Sequence, residues 1–256
     1  MAEAPGGEFA VGQQVGAVMG GMGRTIDGGY AEYVVVPAHT VIPFSSDLDW
    51  ATLGAVPEML QTANGSLTAV DPSDGAPFLI RGGTSSIGLA LAVLAKRRGL
   101  TVISTTCSAA KADLLRGVGV DHVVIDTGTV ADAVRELLPE GVAGAVELVG
   151  TTTLYDTLRT LAPRATVCFT GMLADEWTVK DFYPIDFIPN GVRLTAYSGE
   201  ASDLPPAVLQ GFLDAVSAGE AVVPIGQVYT LDDIAQAHAD MESGTATGKL
   251  VVLTEL

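Results

Sequence analysis

From Pro77 onward the chain alternates short apolar runs with longer stretches in which apolar side chains recur every three or four residues. The runs predict strands at Phe78 to Arg81, Thr101 to Thr105, His122 to Ile125, Ala145 to Val149, Thr166 to Thr170 and Arg193 to Ala196. The intervening stretches predict helices at about Ser86 to Arg98, Ala109 to Val118, Val130 to Leu138 and Thr153 to Leu161. Such alternation is the pattern of an α/β protein, a parallel sheet with helices on its faces. In the first of these helices Ile87, Leu91 and Leu94 define an apolar stripe, and Lys96, Arg97 and Arg98 collect in the last turn, where they complement the helix dipole and read as a helix end, not a binding patch.

The flanking regions read differently. Residues 1 to 45 look like β structure, with Gly28 and Gly29 turning into a strand at Tyr30 to Val36. Asp47 to Leu67 is helical, a connector with Pro57 as a break or kink. Leu173 to Asn190 is an aromatic-rich irregular loop of the kind that shapes pockets at the ends of such sheets. The tail predicts a helix near Pro206 to Ser217, then strands, then a helix from Leu231 to Met241 announced by a Thr230/Asp233 capping pattern. His238 lies beside the apolar Ile234 and Met241 and reads as packed or partly exposed, and GKLVVL reads as a closing strand.

Composition narrows the functions available. With 256 residues, 48% hydrophobic and 17% charged, the chain is globular and large enough for a substantial core. A net charge of −17 argues against nucleic acid and anionic membrane as partners. No apolar run reaches the length of a membrane span and no secretory signal pattern opens the chain, so a cytoplasmic location is expected. Cys107 and Cys168 form no CxxC pair, which excludes a thiolate zinc site by count, and both read as buried, inert thiols. The histidines at 39, 122 and 238 are dispersed, and no triad or metal cluster is evident.

The chemistry concentrates in PFLIRGGTSSIG, Pro77 to Gly88, a strand that breaks into a glycine turn and a helix start. Small residues let a backbone turn sharply and approach a phosphate, and free amides at a helix N-terminus favour negative charge. In register with GxGxxG the segment reads Gly83, Ser85, Gly88, with serine at the middle glycine, so by itself it is equally an ordinary glycine-rich turn. The end of the second strand reads Ser104, Thr105, Thr106, Cys107, Ser108 with no carboxylate until Asp113, and Lys111 follows. Hydroxyls beside a lysine suit a 2′-phosphate that a carboxylate would repel, so NADP(H) is preferred to NAD(H). The plainer reading of Lys111 is a solvated helix residue.

Several motifs in order, GGYAEYVVVP, PEMLQTANGSL, RGGTSSIGLALAVLAK, ADLLRGVGVDHVV and HADMESGTATGKLVVL, together resemble the medium-chain dehydrogenase/reductase superfamily, in its zinc-independent quinone oxidoreductase branch. The resemblance runs from about residue 9 to the C-terminus. It implies a Rossmann-like doubly wound parallel sheet with a partial GroES-like β domain: residues 1–60 for the remaining catalytic domain and connector, 61–200 for NADP binding, 201–256 for the return to the catalytic domain. It further implies Thr84, Ser85, Ser86 and Ile87 under the pyrophosphate, and Thr106, Ser108 and Lys111 near the adenosine phosphate. Glu58 and Thr62 would border the nicotinamide, flanked by Val149, Gly150, Phe169, Thr170 and Gly171. Arg193 to Tyr197 resembles a dimer-forming edge, implying a homodimer. Against a full-length member the chain begins late, near Gly7, so residues from the opening of the catalytic domain have no counterpart, and lost strands would leave sheet edges exposed.

The leading expectation is an NADPH-dependent reductase of a quinone or α,β-unsaturated carbonyl, with no catalytic residue assigned and Tyr183 the tyrosine to test as proton donor. A second is a non-redox catalyst that cyclises or rearranges a polyketide-like intermediate. A third is a nucleotide-binding subunit without turnover.

Overall fold

The computed structural model describes residues 1–243 and 248–254, so residues 244–247 of the closing motif lie outside the described residues. Two compact units emerge, Met1–Gln61 with Gly199–Leu256, and Thr62–Ser198. The chain begins with β1 (Val15–Ala17), β2 (Val41–Pro43), α1 (Trp50–Val70), β3 (Pro77–Arg81), α2 (Ser86–Arg97) and β4 (Thr101–Thr106). It continues with α3 (Ala112–Gly117), β5 (His122–Ile125), α4 (Ala131–Leu137), β6 (Val142–Glu147), α5 (Thr151–Arg159) and β7 (Leu161–Phe169). It closes with α6 (Pro184–Phe187), β8 (Arg193–Ala196), α7 (Pro206–Ser217), β9 (Ile225–Thr230), α8 (Ile234–Glu242) and β10 (Lys249–Leu253).

The second unit is a six-stranded sheet in the order β5-β4-β3-β6-β7-β8, parallel throughout. The chain enters at β3, winds outward to β5, returns to β6 beside β3 and winds out to β8. Reversal of winding between β3 and β6 opens a crevice at their carboxyl ends. Strands covered on both faces need apolar side chains in both directions, and Phe78, Leu79 and Ile80 of β3 are fully buried, each worth about 1.5–3 kcal/mol. The same logic governs α2, where Gly88 to Val93 and Ala95 are buried. The predicted Ile87–Leu91–Leu94 stripe is too narrow a description, since Ile87 and Leu94 are only half-buried and the helix is enclosed nearly all round.

Arg81, the last residue of β3, is wholly withdrawn from solvent. Its guanidinium holds Asp126 through two parallel bonds, Nε to Oδ2 at 2.9 Å and Nη2 to Oδ1 at 3.1 Å, and donates to Asp156 Oδ2 at 2.7 Å. Further bonds go to the Gly128 and Thr153 carbonyls and to Thr157 Oγ1. Burial alone would lower its pKa, but the Asp126 carboxylate overcomes this and raises it. The cation therefore ties β3 to the β5–α4 connection and to α5.

Several expectations need correction. Tyr30 to Val36 forms no strand: no described backbone hydrogen bond involves residues 27–36, and Tyr30, Tyr33, Val34 and Val35 are exposed. Its composition favours β structure, but a strand forms only against a neighbour, and no described strand lies alongside. Pro57 does not break α1, which runs through it. Burial of Val56, Met59 and Leu60 outweighs a penalty of about 3 kcal/mol for an interior proline. Strand β6 spans Val142–Glu147 rather than Ala145 to Val149, because the Glu147 carboxylate draws the next amides out of the ladder. Strand β7 starts at Leu161 rather than Thr166, across an irregularity that includes Arg164 at φ 72°. The Leu173 to Asn190 stretch is irregular apart from α6, where Phe187 packs on Phe182 and Tyr155 at centroid distances of 5.0 and 5.4 Å. Cys168 is buried, which pushes its thiol pKa up, but Cys107 is exposed, one residue beyond the end of β4.

In the first unit β1 pairs antiparallel with β2, and β9 parallel with β10. Contacts from both ends of the chain hold it: Ser45 with Gln210, Glu58 with Lys249 at 2.7 Å, and Tyr30 Oη with His238 Nε2 at 2.8 Å on the exposed face of α8. The capping box at Thr230 and Asp233 is present. Tyr229 donates to Asp240, whose carboxylate pushes the phenol up to about 12.

Removing the Arg81 guanidinium strands Asp126 without its counter-charge. Arg81→Met is expected to cost about 3–5 kcal/mol in urea unfolding, against no more than about 0.5 kcal/mol for Arg116→Met, whose exposed pair with Asp113 is screened.

Candidate functional site

The sheet delivers the sequence-selected residues to one edge. Gly83 to Gly88 follow β3, Thr106 ends β4 with Ser108 and Lys111 after it, Val149 and Gly150 follow β6, and Phe169 ends β7 with Thr170 and Gly171 next. All of these lie at the carboxyl ends of strands in the second unit. Thr62 belongs to the same unit through α1: the Ser66 hydroxyl donates to the Thr62 carbonyl at 2.7 Å and meets Thr170 Oγ1 at 2.9 Å. Glu58 falls in the first unit, paired with Lys249. Tyr183 is exposed and stands before α6 in the same second unit, with no described contact to these residues.

The glycine turn has two features suited to an anion. Gly82 takes φ 85°, and a Cβ on Gly88 would sit 2.6 Å from the Gly83 carbonyl oxygen and 2.7 Å from that of Gly82, so turn and helix touch backbone to backbone. Gly83 is pressed against Ser104, leaving no room for a side chain there either. Ser85 caps α2 by accepting from the Gly88 amide at 3.1 Å. The amides of Thr84, Ser86 and Ile87 have no acceptor among the described residues, and all three residues are half-buried just past the carboxyl end of β3. Three free N–H groups at a twelve-residue helix start fit a pyrophosphate. Beneath them Ser104 Oγ is buried without a hydrogen-bond partner among the described residues.

At the end of β4, Thr106 Oγ1 accepts from the Ser108 amide at 3.2 Å, curling the chain so that Ala109–Lys111 forms a single 3-10 turn. Lys111 is exposed, with no described ion pair. Asp113, the next acid along the chain, forms an exposed pair with Arg116 at 2.7 Å, and Asp126, after the neighbouring strand β5, is held by Arg81. Between Ser104 and Ser108 there is no carboxylate where an acidic side chain would receive a ribose 2′-hydroxyl.

The sequence reading missed Glu147. It is fully buried beside Arg81 in the β3–β6 register. Its Oε1 accepts from the amides of Val149 at 2.7 Å and Gly150 at 3.1 Å, its Oε2 accepts from the Thr157 hydroxyl, and its main-chain oxygen accepts from Thr170 and Gly171, each at 3.0 Å. Burial pushes its carboxyl up, against the Thr157 hydroxyl and Arg81, which pull it down. The available signal was a charged residue in each of two otherwise apolar strands, Arg81 and Glu147. Among the described residues no three His, Cys, Asp or Glu side chains converge as a metal site requires.

The family described as zinc-binding dehydrogenase matches residues 118–252. The quinone oxidoreductase of Homo sapiens is 28% identical over 237 residues, covering 90% of this chain and 70% of its own length. The solved structure of mycobacterial Rv1454c complexed with NADPH is 26% identical, with a TM-score of 0.77 over 96% of this chain and 75% of that one. A 2-haloacrylate reductase structure, 24% identical, shares the fold at a TM-score of 0.84 over 100% of this chain and 81% of its own.

Two expectations follow from the site geometry. Gly88→Ala forces a methyl into the Gly82 and Gly83 carbonyls and is expected to cost about 1–3 kcal/mol in thermal or urea unfolding. Glu147 binds its proton more tightly folded than unfolded, so its contribution to stability is full below the ordinary glutamate pKa and is lost as pH rises through the folded value. Glu147→Gln is expected to flatten that part of the stability–pH curve.

Proposed function

Because the chain belongs to the zinc-binding dehydrogenase family, within the quinone oxidoreductase-like branch of the medium-chain dehydrogenase/reductase superfamily, we propose that it is an NADPH-dependent reductase of quinones or α,β-unsaturated carbonyls. One observation carries the reading: three amides without an acceptor among the described residues at the switch point of the sheet, next to a strand end, Ser104 to Ser108, that contains no carboxylate and is followed by Lys111. Rv1454c, a structural neighbour, has been solved with NADPH, which supports the same cofactor here.

In this reading Thr84, Ser86 and Ile87 bind the pyrophosphate through their amides while Gly83, Ser85 and Gly88 let the backbone come close. Thr106, Ser108 and Lys111 hold the 2′-phosphate, and Thr62, Val149, Gly150, Phe169, Thr170 and Gly171 position the nicotinamide half. When bound, the cofactor supplies a hydride. The protein's part is orientation and exclusion of water. The family's name includes zinc, but the described donors do not fit that ion, so the reading is zinc-independent and takes no step through a metal. A homodimer belongs to the proposal: among the described residues β8 pairs with β7 alone, so its other edge is available to a second copy. The cyclisation and non-turnover readings are not favoured by kinship with quinone oxidoreductases.

Calorimetric titration with NADPH and separately with NADH tests the reading, followed by loss of NADPH absorbance on addition of quinones and enones. Selective NADPH binding is expected, and Lys111→Ala is expected to weaken NADPH by about 1–3 kcal/mol while leaving NADH unchanged. Equal weakening of both would remove the phosphate role of Lys111, and failure to bind either cofactor would overturn the proposal.

A further inference from the structure

The geometry points to Glu147 as the positioning residue that holds both loops at the nicotinamide end of the site, an inference that rests on the cofactor reading above. Loop 148–150 follows β6 and loop 170–174 follows β7. The Glu147 side chain fixes the first through the Val149 and Gly150 amides, and its carbonyl fixes the second through the Thr170 and Gly171 amides. The loops also bond to one another, Ala174 N to Val149 O at 2.9 Å, and Gly171 lies so close to the Leu148 backbone that no side chain fits. One residue is thus common to four amides on two strand ends.

Glu147 is itself anchored from below. Thr157 Oγ1 donates to its Oε2 and accepts from Arg81 Nη1 at 3.1 Å, and Arg81 is clamped by Asp126 and Asp156. The Arg81 carbonyl accepts the Leu148 amide at 3.1 Å, immediately before the glycine turn that takes the pyrophosphate. A buried acceptor that satisfies several amides fixes backbone geometry, and of these four the Gly150 amide is buried and would be stranded without it, while Val149, Thr170 and Gly171 are half-buried. Its function is local: the adenosine end of the site, at β4 and Lys111, receives none of these bonds.

That locality sets the test. NADPH and adenosine 2′,5′-bisphosphate, which lacks the nicotinamide half, are titrated by calorimetry into the wild-type chain, Glu147→Met and Glu147→Gln. Glu147→Met is expected to weaken NADPH about tenfold or more, with kcat for quinone reduction falling alongside, while the bisphosphate changes less than about twofold. Glu147→Gln keeps a carbonyl oxygen for the Val149 and Gly150 amides and is expected to restore NADPH affinity to within about threefold of wild type. Equal weakening of both ligands by Glu147→Met, or failure of Gln to restore, would assign Glu147 a merely structural or charge role and overturn the proposal. If Glu147→Met does not fold, hydrogen exchange on cofactor-free wild type decides: the amides of Val149, Gly150, Thr170 and Gly171 are expected to be protected, and exchange at unprotected rates would overturn it. Wild type that binds the bisphosphate but not NADPH, or neither, overturns the cofactor reading itself and is distinguishable from every outcome above.

Discussion

A guanidinium withdrawn from water at the end of the central strand has to be met by polar groups from several elements of the second unit. Arg81 must be satisfied on every side, and its partners are Asp126, Gly128, Thr153, Asp156 and Thr157. These come from the turn after β5 and from α5, so the positions of those elements follow from the needs of one cation. The acids are bound in turn: Asp126 accepts the Gly128 amide, and Asp156 accepts the Val130 amide at 2.7 Å. A network closed in this way rigidifies the layer beneath the strand ends.

Above that layer the strand ends differ in what holds them. The turn after β3 is shaped by glycines whose backbones touch; the ends of β6 and β7 are shaped by carboxylate and carbonyl oxygens that capture amides. The end of β4 receives the Gly82, Gly83 and Asp126 amides on Thr105 and Thr106, and beyond it lie the exposed Cys107 and Lys111. Backbone amides at one strand end and an exposed cation beyond another suit a ligand that carries a pyrophosphate and, apart from it, a monoester phosphate.

Much of the second unit was legible because its signals are local. Apolar runs in β3 to β8, the glycines at 83 and 88 and the absence of acid between Ser104 and Ser108 can each be read within a few residues. What escaped depends on partners distant in sequence. Arg81 looked like the polar end of a strand because Asp126 and Asp156, its reasons for being buried, stand 45 and 75 residues away. Glu147 ended β6 early by capturing amides, which no propensity encodes. Tyr30 to Val36 failed in the opposite sense: its composition promised a strand, and strands are made by neighbours.

The first unit draws on Met1–Gln61 and on Gly199–Leu256, with all of the second unit in between. On the ribosome the parallel sheet has its last strand, β8, before any of α7, β9, α8 or β10 exists. Synthesis proceeds at roughly 5–20 residues per second, so the opening segment waits for many seconds for Gln210, His238 and Lys249, the partners of Ser45, Tyr30 and Glu58. Until then Ser45, Tyr30 and Glu58 lack the partners they hold in the folded first unit, so that unit can close only after the whole of the second has been synthesised.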